Sequence, residues 1–218
     1  MKLLCLSDIH GEGAGLKDIL AEVSEADAVV LAGDLTHLGG FAEAESVLAP
    51  LLASGARLIA VAGNMDGEGA RRYIAEKGID IHGRGITIGA VGFMGLGGGT
   101  PSHLRTPWEV SAAEARRVLS AGFADIAGAS VKVLVSHAPP RGTKIDRSFA
   151  GMHVGSTEVR DFLLAGSVHL CICGHIHEAM GEDKLGKTLC VNVSPFKNGR
   201  YALVAIEGSR IEVLWRDR

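Results

Sequence analysis

The chain opens with KLLCLSDIH, residues 2–10, an apolar run that ends in two polar residues, Asp8 and His10. The run predicts a buried β-strand over residues 2–6, and the polar pair then lies in the loop at its carboxyl end. Four further apolar runs end in the polar segments Gly33-Asp34, Gly63-Asn64-Met65-Asp66, Ser136-His137 and Gly174-His175-Ile176-His177. Loops that leave the same end of neighbouring strands converge, so the pattern predicts one polar site at a sheet edge.

The strands predicted before these four segments cover residues 28–31, 57–61, 131–135 and 168–172. Helices are predicted between the first strands, because apolar residues recur there at i, i+3, i+4 and i+7. The two apolar stripes are Leu16, Ile19, Leu20 and Val23, and Ala44, Val47, Leu48 and Leu51. A third, shorter helix is expected over residues 71–77. This alternation of strands and helices is typical of the α/β class.

Short elements are predicted in the middle of the chain. Glycine interrupts two short strands over residues 86–88 and 90–93. Ser111 and Glu114 fit a capping box that opens a helix through Leu119, and Gly122 predicts its end. The helix should therefore cover little more than two turns.

The C-terminal part is richer in strands. Ser156 is expected to cap one more helix, which Gly166 ends. Strands follow over residues 188–193, 201–206 and 210–215, and the last two form a hairpin through residues 207–209. Strand-rich sequence after helix-rich sequence predicts two sheets packed face to face with helices outside. Without a repeat, a linker or a low-complexity tract, residues 1–218 are expected to form a single domain.

Composition limits the classes of function. The 218 residues are 47% hydrophobic and 22% charged, which is enough for a substantial core. The formal net charge of −3 provides no overall basic field, so nucleic acid is not expected as a partner unless the folded surface carries a local basic patch. No apolar run approaches the roughly 20 residues of a membrane span. The sequence carries no clear signature of an oligomeric state.

The N-terminal apolar run is too short for a signal peptide, because Asp8 and His10 interrupt it. Four cysteines lie in apolar, strand-like runs without CxxC spacing, which favours buried reduced thiols over disulfides or metal ligands. We therefore expect a cytoplasmic protein without membrane contact.

The five polar segments, in this order, resemble the motifs of the calcineurin-like metallophosphoesterase superfamily. These motifs are DxH, GD, GN(H or another residue)D, a single H, and GHxH. The resemblance extends from Asp8 to His177 and implies a four-layer αββα sandwich with metals at the sheet edge. It implies that the first ion is bound by Asp8, His10, Asp34 and His177, and the second by Asp34, Asn64, His137 and His175.

The resemblance also implies a cofactor and a reaction. Asp34 would bridge two divalent ions, with manganese expected first and iron, zinc, nickel or magnesium as alternatives, since such ligands accept several metals. A solvent oxygen between the ions would attack phosphorus in line, and Asp34 and Asn64 would belong to the catalytic centre. The implied substrate is a small-molecule phosphoester.

Position 65 departs from the commonest pattern of the family. Where many members carry a histidine that protonates the departing oxygen, oriented by the next aspartate, this chain has Met65 followed by Asp66. Because methionine has no proton to give, we expect a phosphodiesterase acting on a small or nucleotide-derived diester. In an alternative interpretation, Met65 simply forms an apolar wall of the pocket. Asp66 is assigned to the catalytic set. A phosphomonoesterase or protein phosphatase, and a non-catalytic metal-binding scaffold, remain the alternatives.

Two loops contain further candidates. Arg141 and Lys144 follow the ligand His137 and offer cations to a phosphate. His153 is either a replacement general acid or a surface or capping residue. Residues 95–103 are rich in glycine but lack GxGxxG spacing and the Walker lysine, which predicts a mobile loop at the rim of the site. His103 and Trp108 line its entrance or lie on the surface.

Overall fold

The computed structural model describes residues 1–102 and 105–218. In chain order the strands are β1 (Lys2–Leu6), β2 (Ala28–Ala32), β3 (Leu58–Val61), β4 (Gly85–Ile88), β5 (Val91–Leu96), β6 (Val131–Ser136), β7 (Leu170–Cys173), β8 (Gly181–Leu185), β9 (Thr188–Asn192), β10 (Arg200–Glu207) and β11 (Arg210–Asp217). The α-helices are α1 (Leu20–Glu25), α2 (Phe41–Ala53), α3 (Glu68–Glu76), α4 (Ala112–Asp125) and α5 (Thr157–Ala165). Short 3-10 turns cover Gly13–Lys17, Lys144–Asp146, His177–Ala179 and Phe196–Asn198.

The strands form two mixed sheets. The first has the order β11-β10-β1-β2-β3, in which β1, β2 and β3 run parallel and β10 pairs antiparallel with β1. The second has the order β4-β5-β6-β7-β9-β8, in which β5, β6, β7 and β9 run parallel between two antiparallel edge strands. The carboxyl ends of β1, β2 and β3 therefore meet at one edge, as do those of β6 and β7 in the other sheet.

Three hydrophobic cores separate four layers. One lies between the first sheet and α1, α2 and α3, the second between the two sheets, and the third between the second sheet and α4 and α5. In β1, Leu4 and Leu6 face the helices while Leu3 and Cys5 face the other sheet. A strand buried on both faces reads as a continuous apolar run, which is why β1 shows no alternation. The four-layer αββα sandwich is confirmed.

The helix predicted over the first apolar stripe is interrupted. The structure has a 3-10 turn at Gly13–Lys17 and then the short α1, yet Leu16, Ile19 and Val23 are buried as the stripe predicts. Gly13 lies against the backbone of Val47 in α2, where a side chain has no room. This close approach favours a tight turn over a continuous helix.

The second stripe and both serine caps are confirmed. All four apolar residues of the second stripe are buried in α2, and the hydroxyls of Ser111 and Ser156 accept hydrogen bonds at the starts of α4 and α5. The predicted end at Gly122 is wrong, because α4 continues to Asp125. A Cβ at position 122 would press on Arg84 and Met94, so glycine lets the helix approach the sheet rather than ending it.

Strand β8 was not predicted from the sequence. Its residues, GEDKL, are mostly charged, and they alternate between partly buried and exposed positions at the edge of the second sheet. Polar side chains are common on edge strands because they discourage further strand pairing. A reading based on apolar runs therefore misses it.

Residues 97–99 of the glycine-rich segment pack closely against neighbouring segments, where the sequence predicts a mobile loop. Gly98 donates its N–H to the Ala62 carbonyl at 2.9 Å, and Gly99 donates to the Trp108 carbonyl at 3.1 Å. A side chain at Gly97 would collide with Ala62 and the Trp108 ring, which explains the glycines. Trp108 itself is partly buried between two cores, whereas His103 lies outside the described residues.

Within residues 1–102 and 105–218, the helices fall short of the length and apolarity that crossing a bilayer requires.

Candidate metal centre

The structure brings the polar ends of five strands to one place. Asp8 and His10 follow β1, Asp34 follows β2, and Asn64 follows β3, so the first sheet supplies four side chains. The second sheet supplies the rest, which are His137 after β6 and His175 and His177 after β7. Two groups of these side chains have the ligand-atom spacing of a metal site, namely Asp8, His10 and His177, and Asp34, His137 and His175.

The first cluster is compact. His177 Nε2 lies 3.0 Å from Asp8 Oδ1 and 3.2 Å from His10 Nε2. His10 Nε2 lies 3.7 Å from the same Asp8 oxygen. One carboxylate oxygen and two imidazole nitrogens therefore converge on a single point, which is the donor set that divalent transition metals prefer.

The second cluster has a similar design. His137 Nε2 lies 2.8 Å from Asn64 Oδ1 and 3.5 Å from Asp34 Oδ1. The ring of His175 is edge-on to that of His137, with 4.9 Å between centroids. Asn64 thus joins the second cluster through its side chain, as the resemblance implies.

Asp34 connects the clusters. Its Oδ1 faces His137, and its Oδ2 lies 3.8 Å from His10 Nε2 in the first cluster. The N–H of Met65 donates to Oδ1 at 2.8 Å, which fixes the orientation of the carboxylate. One aspartate therefore presents one oxygen to each cluster, the arrangement needed to bridge two ions.

Hydrogen bonds outside the clusters leave ligand lone pairs pointing inward. His137 Nδ1 lies 2.8 Å from the Ala32 carbonyl, which can only accept, so Nδ1 carries a proton and Nε2 is the ring nitrogen that faces the second cluster. Asp8 Oδ2 accepts from the Ser7 hydroxyl at 2.6 Å and from the His175 N–H at 2.9 Å. Asp8 Oδ1 remains for the cluster. The residues present therefore fit two divalent cations.

The pKa values of the clustered side chains are shifted by burial and by the charges of the neighbouring carboxylates and imidazoles. Burial raises the pKa of Asp8, but His177 and His137 hold it well below its usual range. Burial lowers the pKa of His137, and the opposing attraction of Asp34 and Asp8 raises it to about 9. Burial and the nearby charge of His137 lower the pKa of His175 to about 4. The carboxylates thus attract positive charge into the site.

Four ligand residues have left-handed backbone. Asp8, His10, Asp34 and His175 have φ angles of 55°, 51°, 51° and 73°. Such angles are uncommon for residues with a side chain and store strain that the surroundings must hold. They turn the chain sharply after each strand, so the side chain points back across the strand ends.

Asp66 holds neighbouring loops together through hydrogen bonds. Its buried carboxylate accepts from the N–H groups of Gly63 at 2.7 Å, Thr36 at 2.8 Å and Leu35 at 3.2 Å, and from the Thr36 hydroxyl at 2.8 Å. Both oxygens are occupied by these donors. Asp66, which the sequence assigns to the catalytic set, thus has hydrogen bonds that position the segments carrying Asp34 and Asn64.

His153 is paired with a buried carboxylate. Its Nδ1 lies 2.6 Å from Asp146 Oδ1, and 32% of its side chain is exposed. Asp146 also accepts from the N–H groups of Gly142, Thr143 and Gly155, so the loop is built around it. The cap of the following helix α5 is Ser156, whose hydroxyl accepts from the Val159 N–H.

The loop that carries Asp146 and His153 is hydrogen-bonded, through Asn192, to the segment that carries His177. Asn192 Nδ2 donates to the Ile145 carbonyl at 3.2 Å and to the Ile176 carbonyl at 2.9 Å. Ile145 precedes Asp146, and Ile176 precedes His177. Asn192 therefore joins the loop of Asp146 and His153 to the segment that carries His177.

The predicted cations Arg141 and Lys144 are exposed on this loop. The N–H of Lys144 donates to Asp183 at 2.8 Å, which anchors the backbone but not the ammonium group. Among the described residues, no hydrogen bond or ion pair restrains either cationic side chain. The structure therefore leaves their predicted contact with a phosphate untested.

Two residues near the first cluster were missed by the sequence reasoning. The His37 ring lies 5.5 Å from the His10 ring, and the Lys197 N–H donates to the Asp8 carbonyl at 3.3 Å. Burial lowers the pKa of His10, and the charge of Lys197 acts in the same direction. Both residues lie outside the five motif segments, so neither spacing nor strand position could have indicated them.

Comparisons with known proteins agree with this geometry. A family model described as calcineurin-like phosphoesterase matches residues 1–179. An uncharacterized protein of Methanocaldococcus jannaschii is 32% identical over 200 residues, which is 89% of this chain and 88% of that protein.

Solved structures share the fold at low identity. The protein TT1561 of Thermus thermophilus has a TM-score of 0.77 at 17% identity, with 97% of each chain covered. A dimetal phosphatase from Danio rerio has a TM-score of 0.73 at 14% identity, covering 100% of this chain and 96% of that one. A protein described as a novel archaeal phosphodiesterase has a TM-score of 0.58 at 14% identity, covering 99% and 100%. With the family model and the archaeal relative, these findings show that the chain belongs to the calcineurin-like phosphoesterase family.

Proposed function

We propose that the protein is a metal-dependent phosphodiesterase that hydrolyses a small or nucleotide-derived phosphodiester. The observation that carries the proposal is the pair of clusters connected by Asp34, beside a methionine at position 65. Met65 cannot protonate a departing oxygen from the position where many family members carry a histidine, which favours diesters, because their hydrolysis depends less on that protonation than the hydrolysis of monoesters does.

Each cluster is assigned one ion. Asp8, His10, Asp34 and His177 hold the first ion, and Asp34, Asn64, His137 and His175 hold the second. When bound, two divalent ions neutralise charge on the phosphoryl oxygens and lower the pKa of a water molecule that serves as nucleophile. Manganese is the proposed metal, and iron, zinc, nickel and magnesium are the alternatives.

The proposed roles of the surrounding residues follow from their positions. The charge of Lys197 acts on His10 of the first cluster, and we assign the Lys197 ammonium group to a phosphoryl oxygen of the substrate. Arg141 and Lys144 are proposed to attract the anionic substrate from the opposite loop, where their side chains are free to move.

His153 is proposed as the general acid. Asp146 accepts the hydrogen bond from Nδ1, which leaves Nε2 as the nitrogen that faces outward from the pair. As the bond between phosphorus and the departing oxygen breaks, Nε2 gives its proton to that oxygen. The pair thus supplies from another loop the function that Met65 lacks, typically about 10²–10⁴-fold in rate.

The same observation supports a second candidate function. With an acid available, a phosphomonoesterase or protein phosphatase is compatible with the site, because monoesters depend more strongly on protonation of the departing oxygen. A non-catalytic scaffold is the least supported reading, since the seven proposed ligands all converge.

The proposal is tested with chelator-stripped protein reloaded separately with manganese, magnesium, zinc, nickel or iron. Each form is assayed on an aryl phosphodiester and on the matching monoester. The phosphodiesterase proposal requires metal-restored turnover with the diester preferred. A monoester preference supports the second candidate, and binding of two ions without any turnover supports the scaffold.

Two further predictions from the sequence stand as proposals. We assign residues 1–218 to one domain, because β1 from the start of the chain and β10 from its end pair within one sheet. A cytoplasmic location is proposed because all four cysteines are buried free thiols, as in proteins kept in reducing surroundings.

A further inference from the structure

The loop that carries His153 ends in an ordered hairpin. Arg147 and His153 pair antiparallel at its base, the Ser148 N–H donates to the Met152 carbonyl at 2.9 Å, and the Gly151 N–H donates to the Ser148 carbonyl at 2.7 Å. Gly151 has a φ of 76°, which a tight turn of this kind requires. We call residues 147–153 the hairpin loop.

The tip of the hairpin loop is apolar and exposed. Phe149 is 96% exposed and Met152 is 62% exposed, and Phe149 is the most exposed large apolar residue in the described part of the chain. Turn tips usually carry glycine, asparagine, aspartate or serine. Large apolar side chains held in water on a rigid turn indicate a surface that binds something.

The tip is attached to the metal centre. The Phe149 N–H donates to Glu178 Oε1 at 2.5 Å, and Glu178 directly follows the proposed ligand His177. His153, at the base of the hairpin loop, is held by Asp146, whose loop is joined to the segment of His177. The apolar tip, the proposed acid and the first cluster therefore belong to one assembly.

A second exposed apolar residue lies on a different loop. Leu38 is 59% exposed, has a left-handed φ of 63°, and donates its N–H to the Met65 carbonyl at 3.0 Å. It follows His37, whose ring contacts that of His10. Two loops that are bonded to segments of the metal centre thus carry exposed apolar residues, Phe149 and Leu38, and the cations Arg141 and Lys144 lie on the loop of Phe149.

We infer that Phe149 is a specificity residue that stacks on an aromatic ring of the substrate. The inference rests on the proposed function and narrows it to phosphodiesters in which the ester group that stays on phosphorus carries a planar ring, such as a phenyl group or the base of a nucleoside. The diester anion accounts for the cations, and the ring accounts for a phenylalanine that nothing in the described part of the fold covers.

The test compares diesters that share a 4-nitrophenyl leaving group and differ in the other ester, which is phenyl, hexyl or methyl. Phe149→Ala should raise KM for the phenyl ester about tenfold, the loss expected for one ring contact. KM for the methyl ester and kcat for both should change by less than about twofold. Phe149→Trp should restore the low KM.

Leu214→Ala is the matched control. Leu214 is 50% exposed on β11 and shares a groove with Lys2, at the end of β1 opposite to Asp8. Removing the Leu214 side chain should leave KM and kcat unchanged for all three esters. Two outcomes in Phe149→Ala overturn the assignment of an aromatic ring. One is an equal rise of KM for the phenyl and methyl esters, and the other is an equal rise of KM for the phenyl and hexyl esters.

Binding separates this inference from the proposed function. Titration calorimetry of the metal-loaded wild type and Phe149→Ala with phenylphosphonate and methylphosphonate measures the same contrast without turnover, because these anions hold the phenyl or methyl group through a P–C bond and have no ester bond to hydrolyse. If the wild type hydrolyses no ester, the proposed function fails. A phenyl preference that depends on Phe149 still supports the ring contact, and its absence refutes it.

Discussion

Replacing Asp66 tests whether the metal-binding loops are held by one buried carboxylate. Its Oδ2 accepts the N–H groups of Gly63 and Leu35, and its Oδ1 accepts the N–H and the hydroxyl of Thr36. Asp66→Ala leaves three buried backbone donors without their acceptor, at about 1–3 kcal/mol for each donor that no water reaches. With partial relaxation, we expect a loss of about 3–5 kcal/mol in the free energy of unfolding.

Asp66→Asn should be milder because an amide keeps one acceptor oxygen. If the amide nitrogen takes the place of Oδ1, the Thr36 hydroxyl can rotate and accept from it, and only the Thr36 N–H loses its acceptor. We expect a loss of about 1–3 kcal/mol. Thr36→Val is the matched control, since it removes the hydroxyl and leaves all three backbone bonds to the carboxylate.

The assay is urea unfolding followed by circular dichroism on metal-free protein, so that metal binding does not mask the change. Metal binding is then measured separately, and Asp66→Ala should bind the second ion more weakly than Asp66→Asn, because only the alanine variant removes the acceptor that joins the loops of Asp34 and Asn64. The reasoning is refuted if Asp66→Ala unfolds within about 0.5 kcal/mol of wild type, the range typical of an inconsequential surface change.

Four other predictions concern the proposed site. Asp34→Asn should abolish turnover and reduce bound metal below two ions per chain, as measured by elemental analysis; a wild-type rate contradicts a bridging role. Met65→His should raise monoester relative to diester hydrolysis in parallel assays, and an unchanged ratio means that protonation at that position does not limit the reaction. His153→Ala should slow esters with poor leaving groups far more than those with good ones, whereas equal slowing assigns His153 to binding or structure. Burial raises the pKa of Asp146, but His153 and backbone donors lower it below its ordinary value. Because the folded-state pKa is lower than the unfolded-state pKa of about 4, the ionised Asp146 contributes its full stabilisation above that unfolded value. This contribution decreases as pH falls through the folded-state pKa. The stability difference between wild type and Asp146→Asn should therefore be full above about pH 5 and shrink below about pH 4 in urea titrations, and a difference that grows in acid contradicts this sign.

The sequence predicts the frame of the site because strand ends are local features. An apolar run followed by Asp8 places a carboxylate at the end of β1 whatever the rest of the chain does. Parallel neighbours then bring Asp34 and Asn64 to the same edge. The convergence of seven side chains was predictable for this reason, although their assignment to two ions came only from the resemblance.

The parts that were missed depend on long-range packing. Lys197 reaches Asp8 because a 3-10 turn after β9 folds back over the end of β1. Gly97 looked like part of a mobile loop because sequence alone does not show that Ala62 and Trp108 press on it. In each case the deciding contact joins segments far apart in the chain, and no local pattern encodes it.

The left-handed ligands show how the fold makes the site rigid before any ion binds. Each such residue stores about 1–3 kcal/mol of backbone strain, which would relax if the loop were free. The loops are not free, because the Asp8 N–H donates to the Gly33 carbonyl and the His10 N–H donates to the Asp34 carbonyl, both at 2.9 Å. The pairing of β1 with β2 thus continues past the strands into the ligand segments. Strain and pairing together fix the directions of Asp8, His10 and Asp34, so cations meet ligands that need little rearrangement.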